Sequence, residues 1–223
     1  MAIKTHKAYD QFIQETLATV PKVKQLADAA ILQELNQGGA PTPKALEQQL
    51  RESLTVTGEA QPSLAAVLAG NGPSGPLYIV AYSVPYWATK SLSSLAVYGR
   101  KGGRYDLLSA AKDPLPDTTL TLTLLPSVGD DEPTFMAYGI GWGDPHNHLN
   151  VVAYAFDGHQ LRLLLRRSDL TQGQVKVEGR NIELTFLTIA RGPGYPPAPV
   201  RTEVYHVGPS GIVLEKSSVT TPH

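Results

Sequence analysis

One β-rich pattern recurs three times between Leu77 and Ser217, and the recurrence restricts the chain to architectures that stack like units on one another. The clearest copy runs over residues 149–156, continues through Asp157-Gly158, and closes over 159–165. Its relatives are 95–98 followed by 104–108, and 203–207 followed by 211–214. Tyr98, Tyr154 and Tyr205 hold corresponding places, 56 and then 51 residues apart. Period-two alternation and turn residues predict four strands in the middle copy, at 119–125, 134–140, 149–156 and 160–165. The last copy predicts strands at 174–177, 182–190, 202–207 and 212–215. The first shows 77–84, 95–98 and 105–110, with its outermost strand unassigned. Asp157-Gly158 predicts a two-residue type I′ hairpin, because both residues tolerate positive φ.

Residues 7–54, ahead of this region, read as helical. Tyr9, Phe12, Ile13, Leu17 and Val20 recur at helical spacing, as do Val23, Leu26, Ile31 and Leu35 after a break at Pro21. Thr42-Pro43 is an N-cap followed by proline at the first helical position, and Leu46, Leu50 and Leu54 continue as one stripe. The fold class expected is mainly β with an N-terminal helical segment (α+β): three four-stranded antiparallel units, arranged as propeller-like blades, a curled sheet or a sandwich. The organisation expected is a helical cap over 1–58, a Gly/Pro/Ser-rich linker over 59–76, the β repeat over 77–218 and a tail over 219–223.

Composition removes several function classes. A formal net charge of -1 is not that of a general nucleic-acid or anionic-membrane binder, which depends on excess Lys and Arg. No stretch approaches 18 consecutive apolar residues, so no membrane insertion is expected. With no cysteine there is no disulfide, thiolate metal site or thiol nucleophile. Such a composition fits a bacterial secreted or periplasmic protein whose signal peptide has been removed.

The motifs that resemble chemistry fail for want of context. Gly70-Asn-Gly72-Pro-Ser-Gly75 spells a dinucleotide fingerprint, but a strand pattern follows where a helix N-terminus must meet the pyrophosphate. No cofactor is therefore expected. No Gly-x-Ser-x-Gly elbow exists for a serine hydrolase. Asp144, His146 and His148 are weak metal candidates in an Asp-x-His-x-His run, the histidines sharing a strand face, but further ligands are missing nearby. Arg100, Lys101 and Arg104 surround a glycine-rich tip and are weak anion candidates, with protection of a strand edge as the plainer role.

A different set of residues converges by topology. The connection between the second and third strands of each unit carries Pro85-Tyr86-Trp87, then Trp142 to His146, then Tyr195-Pro196-Pro197. Equivalent loops of stacked units leave on one side, and aromatic residues there supply contact area at small entropic cost. The function expected is a non-catalytic module that binds a protein or polysaccharide through Tyr86, Trp87, Trp142, His146, Tyr195, Pro196 and Pro197. The alternatives are a structural subunit of a larger complex docked through its helical segment, and a metal-dependent hydrolase using His146 and His148.

Overall fold

The computed structural model describes residues 21–37, 41–54, 64–72, 75–87, 90–112, 115, 120–129, 132–142, 147–189 and 197–221. The helical pattern of Tyr9 to Val20 lies outside them. Helix α1 is described over 21–36 and α2 spans Pro43–Leu54. Twelve strands follow: β1 Leu64–Gly72, β2 Gly75–Trp87, β3 Lys90–Lys101, β4 Arg104–Ala110, β5 Thr121–Leu125, β6 Thr134–Trp142, β7 Asn147–Phe156, β8 Leu161–Thr171, β9 Gln174–Glu178, β10 Asn181–Leu187, β11 Val200–Gly208 and β12 Gly211–Thr220. They form three four-stranded antiparallel sheets in simple sequence order: sheet A from β1 to β4, sheet B from β5 to β8 and sheet C from β9 to β12. The fold is thus the mainly β class with N-terminal helices that the sequence predicts.

Strand β1 occupies part of the stretch read from sequence as a linker. Its partner is β2, paired from Leu64↔Ser83 to Gly72↔Gly75. Small residues fill it, and Ala65 and Val67 are nonetheless buried against the helices. In the same way β12 continues to Thr220, beyond the expected end of the repeat.

The repeated tyrosines mark a repeated irregularity. In each sheet the register between third and fourth strands slips by one residue at the tyrosine: between Val97 and Tyr98, between Ala153 and Tyr154, and between Val204 and Tyr205. The extra residues on the fourth strands are Leu108, Leu164 and Glu215. A β-bulge of this kind bends the strand and increases its twist, so three equivalent bulges give the three sheets a common curvature.

The same tyrosines show how the layers are ordered. Tyr98 belongs to the apolar cluster shared with Ala27, Ile31, Leu35, Leu46 and Leu50 of the helices. Tyr154 belongs to the cluster between sheets A and B, with Ile79, Val97, Phe135, Val152 and Phe156. Tyr205 belongs to the cluster between sheets B and C, with Met136, Val151, Ala153, Ile182 and Leu184. Every sheet therefore presents its tyrosine-bearing front to the preceding layer and its back to the next. The helices take the place of a preceding sheet.

Why α1 and α2 do this follows from their stripes. Leu46 and Leu50 are buried and Leu54 packs beside them, as their spacing requires. On α1 the buried stripe is Ala27, Ile31 and Leu35, and Leu26 points outward with 71% exposure. An i, i+4 series beginning at Ala27 keeps to one face, whereas Leu26 sits about 100° away from it on the 3.6-residue turn. Thr42 caps α2 as expected: its Oγ1 accepts the Ala45 N–H at 3.3 Å. Two polar side chains then close the edges of sheet A. The Asn36 amide donates to the Tyr105 carbonyl of β4 at 3.0 Å and accepts the Tyr105 N–H at 2.9 Å. On the other edge, Arg51 donates twice to the Ala65 carbonyl of β1, at 3.2 and 3.1 Å. Exposed strand edges template aggregation, and here the cap occupies their hydrogen-bonding groups directly.

The Asp157-Gly158 turn differs from expectation. The last ladder pair is Phe156↔Leu161, leaving a four-residue loop rather than two. Gly158 does have a positive φ of 94°. The reason is the Asp157 carboxylate, whose Oδ1 accepts the N–H groups of His159 and Gln160, each at 2.8 Å. That side-chain turn competes with the tighter hairpin. The same two backbone N–H groups hold the Asp157 carboxyl below its ordinary pKa.

Candidate functional site

The connections that carry the aromatic and proline residues leave one end of the stack. In sheet A the connection follows Trp87, paired with Lys90; in sheet B it follows Trp142, paired with Asn147; in sheet C it lies between Leu187 and Val200. Strands β2 and β6 start together, because Gly70, which pairs with Leu77, faces Ile79 and Leu124, and Leu124 pairs with Phe135. From that shared level β2 continues for ten residues to Trp87 and β6 for seven to Trp142. The end of β10 joins them through the link after β8: the Gln172 N–H donates to the Asn147 carbonyl at 2.8 Å, and Gln174 pairs with Thr185.

Of the residues singled out in sequence, the backbones of Tyr86 and Trp87 lie in β2 and that of Trp142 in β6. His146, Tyr195 and Pro196 lie outside the described residues. Pro197 is exposed, and the chain returning to β11 is anchored beside it by the Thr188 N–H and hydroxyl, both donating to the Pro199 carbonyl.

Next to this end stands His148 on β7, paired with Gly141 and Thr171. It is half-buried, and its Nδ1 is a buried polar atom without a hydrogen-bond partner. Asp144, like His146, lies outside the described residues. Among the described residues no three His, Asp or Glu side chains gather as metal ligands.

The cationic hairpin lies at the other end. Gly102 and Gly103 have φ of 60° and 87°, the two positive values a type I′ turn needs between Lys101 and Arg104. Register places Lys101 and Arg104 on one face of the sheet and Arg100 on the other, where its guanidinium lies 5.4 Å from the Tyr105 ring centroid.

Sequence reasoning missed a buried polar cluster at the interface of sheets B and C. Glu203 on β11 is 5% exposed. Its carboxylate accepts Arg167 of β8 at 2.9 Å and the Tyr205 hydroxyl at 2.7 Å, with Arg201 3.9 Å away. Arg167 also lies over the Phe186 ring at 5.7 Å, and its Nε is buried without a partner. Burial, and then the hydrogen bond to Glu203, push the Tyr205 hydroxyl up to about 12. The alternation of β11 carries a signal for this group, since Glu203 occupies an inward position between Arg201 and Tyr205.

Compared with known proteins, the chain matches no family model, no curated protein and no solved structure.

Proposed function

We propose that this chain is a non-catalytic binding or assembly module whose contact face is the end of the stack from which the second-to-third connections emerge. The observation that supports the reading is their convergence: three equivalent connections, bearing Tyr86 and Trp87, Trp142 and His146, and Tyr195 to Pro197, depart from one side. Amphipathic aromatic side chains dominate binding hot spots because they desolvate large areas at little entropic cost. The partner is a protein or a polysaccharide, both of which use such surfaces. A subunit docking through its helices is the weaker reading, because the apolar stripes of the two described helices are already occupied by sheet A. The hydrolase reading leans on the unpaired Nδ1 of His148 alone.

Intrinsic tryptophan fluorescence tests the proposal. Titration with a panel of soluble polysaccharides and with proteins identified by crosslinking in the source cell should quench or shift the emission of Trp87 and Trp142. Trp87→Ala and Trp142→Ala should each weaken binding by about 1 to 4 kcal/mol while leaving the melting temperature nearly unchanged. Loss of about 3 to 5 kcal/mol of stability with either substitution would make these residues core plugs and sink the reading.

A further inference from the structure

Among the described residues, sheets A and B are gripped on both faces, but sheet C is gripped on one. Its front packs on sheet B through Ile182, Leu184, Tyr205 and Val207. Its back follows from register as one cross-strand row of Lys176, Glu183, Val204 and Lys216 and a second of Gln174, Thr185, Thr202 and Ser218. The row beside these is Leu187, Val200 and Thr220.

The link that holds sheet C to sheet B is short and conformationally strained. Sheets A and B are joined by the ten residues 111–120, whereas β8 ends at Thr171 and β9 begins at Gln174. Among the described residues, two that are not glycine have positive φ: Asp169 at 58° and Gln172 at 48°. Gln172 lies in the link itself, and Asp169 three residues before it, inside β8. Asp169 sits where β7 and β8 lose register, its N–H held by the Asn150 side chain at 2.9 Å. Gly173 is wedged in, since a Cβ there would stand 2.6 Å from Leu149 Cβ and 2.8 Å from the Leu170 carbonyl. Left-handed backbone at residues other than glycine persists only where surrounding contacts impose it, and opening the link would release it. Strands β8 and β9 are each bonded on one side only, so an opened link lets β8 run straight on into β9 without breaking a ladder.

We propose that sheet C exchanges between two copies of this chain, hinged at Gln172-Gly173, to give a dimer in which each sheet B receives the sheet C of the other copy. Short strained hinges favour such exchange, because the open form relieves the strain while the exchanged interface keeps every contact of the closed one. The Arg167–Glu203 pair is what the incoming sheet must match: the arginine belongs to the receiving sheet and the glutamate to the arriving one.

That division supplies the test. Arg167→Glu and Glu203→Arg chains, each mispaired with itself, become complementary at both sites only when sheet C is exchanged between them. Co-refolded from urea at high concentration, differently tagged copies should form a heterodimer that survives dilution in gel filtration, several-fold above either variant refolded alone. The parent chain refolded likewise should yield some dimer, and Gln172→Gly, which removes the strain, should lower that fraction several-fold. A parent that returns wholly monomeric at every concentration overturns the proposal. A dimer that dissociates at once on dilution, or that is indifferent to Gln172→Gly, also overturns it, since it would be a surface association.

Discussion

The stack has two ends, and they solve the same problem in opposite ways. At the N-terminal end sheet A turns an apolar front outward, with Tyr78, Val80, Tyr82 and Tyr98, and two helices cover it. At the C-terminal end sheet C turns a mixed back outward, on which Val204, Leu187 and Val200 lie among polar residues and Glu183, Thr185 and Thr202 stand where sheets A and B bury apolar residues. A repeat array needs a polar outer surface on its terminal units. One end acquires it by adding a layer and the other by changing side chains. The first solution adds an apolar cluster to the two between the sheets, and the second adds none.

That contrast predicts very unequal sensitivity. Leu46→Ala empties a fully buried site under the helical cap and should cost about 2 to 5 kcal/mol in urea unfolding, whereas Thr185→Ala on the back of sheet C should stay within about 0.5 kcal/mol. Equal effects would mean that the cap is an ornament. The interface between the ends is probed by Glu203→Ala, which strands Arg167 in a largely apolar setting. Because the Arg167 side chain retains 32% exposure, a cost of about 2 to 3 kcal/mol is expected, below that of a fully buried pair, and Glu203→Ala with Arg167→Leu should recover part of it.

An effect smaller than the losses at Leu46 and Glu203 concerns alkaline pH. The Tyr205 hydroxyl is raised from 10.0 to about 12, so its contribution is whole below pH 10 and is lost as pH rises through 12. Tyr205→Phe should reduce the fall in stability across that window by on the order of 1 kcal/mol, measured by urea unfolding at successive pH values. At the helical end burial raises Tyr82 and Tyr98 further still, Tyr98 beside the Asp28 carboxylate that accepts its hydroxyl at 3.0 Å, so that end should go on losing stability above pH 12. Tyr82 faces Ser94, but its hydroxyl remains an unpaired buried atom.

Much of this architecture was legible in the chain. The tyrosine spacing announced three units because each unit needs the same residue at the same bulge, and Thr42-Pro43 announced a helix start because the cap is a local bond. Strand β1 escaped notice because Ala and Gly lack the branched side chains that identify strands, and its burial comes from distant helices. Leu26 fits the helical spacing but stays exposed, because a buried stripe is one face and sheet A selects the one that holds Ala27. The Asp157 loop shows a local competition that a dipeptide rule overlooks. Of the candidate site, the topology of the three connections could be read in advance. The Arg167–Glu203 contact could not, since it joins strands 36 residues apart whose facing depends on how the sheets stack.

The front-to-back order of the layers has a consequence for length. A polymer in which every unit shows one surface forwards and its complement backwards, with an initiator at one terminus and a terminator at the other, carries no internal rule for when to stop. A further copy of residues 121–171 inserted after β8 would present a Tyr154-type front to a Met136, Val151 and Ala153 back of the kind it already meets. The helices and sheet C would close the longer molecule as they close this one. The number of units is therefore set by the gene and not by the geometry, which distinguishes this stack from a ring.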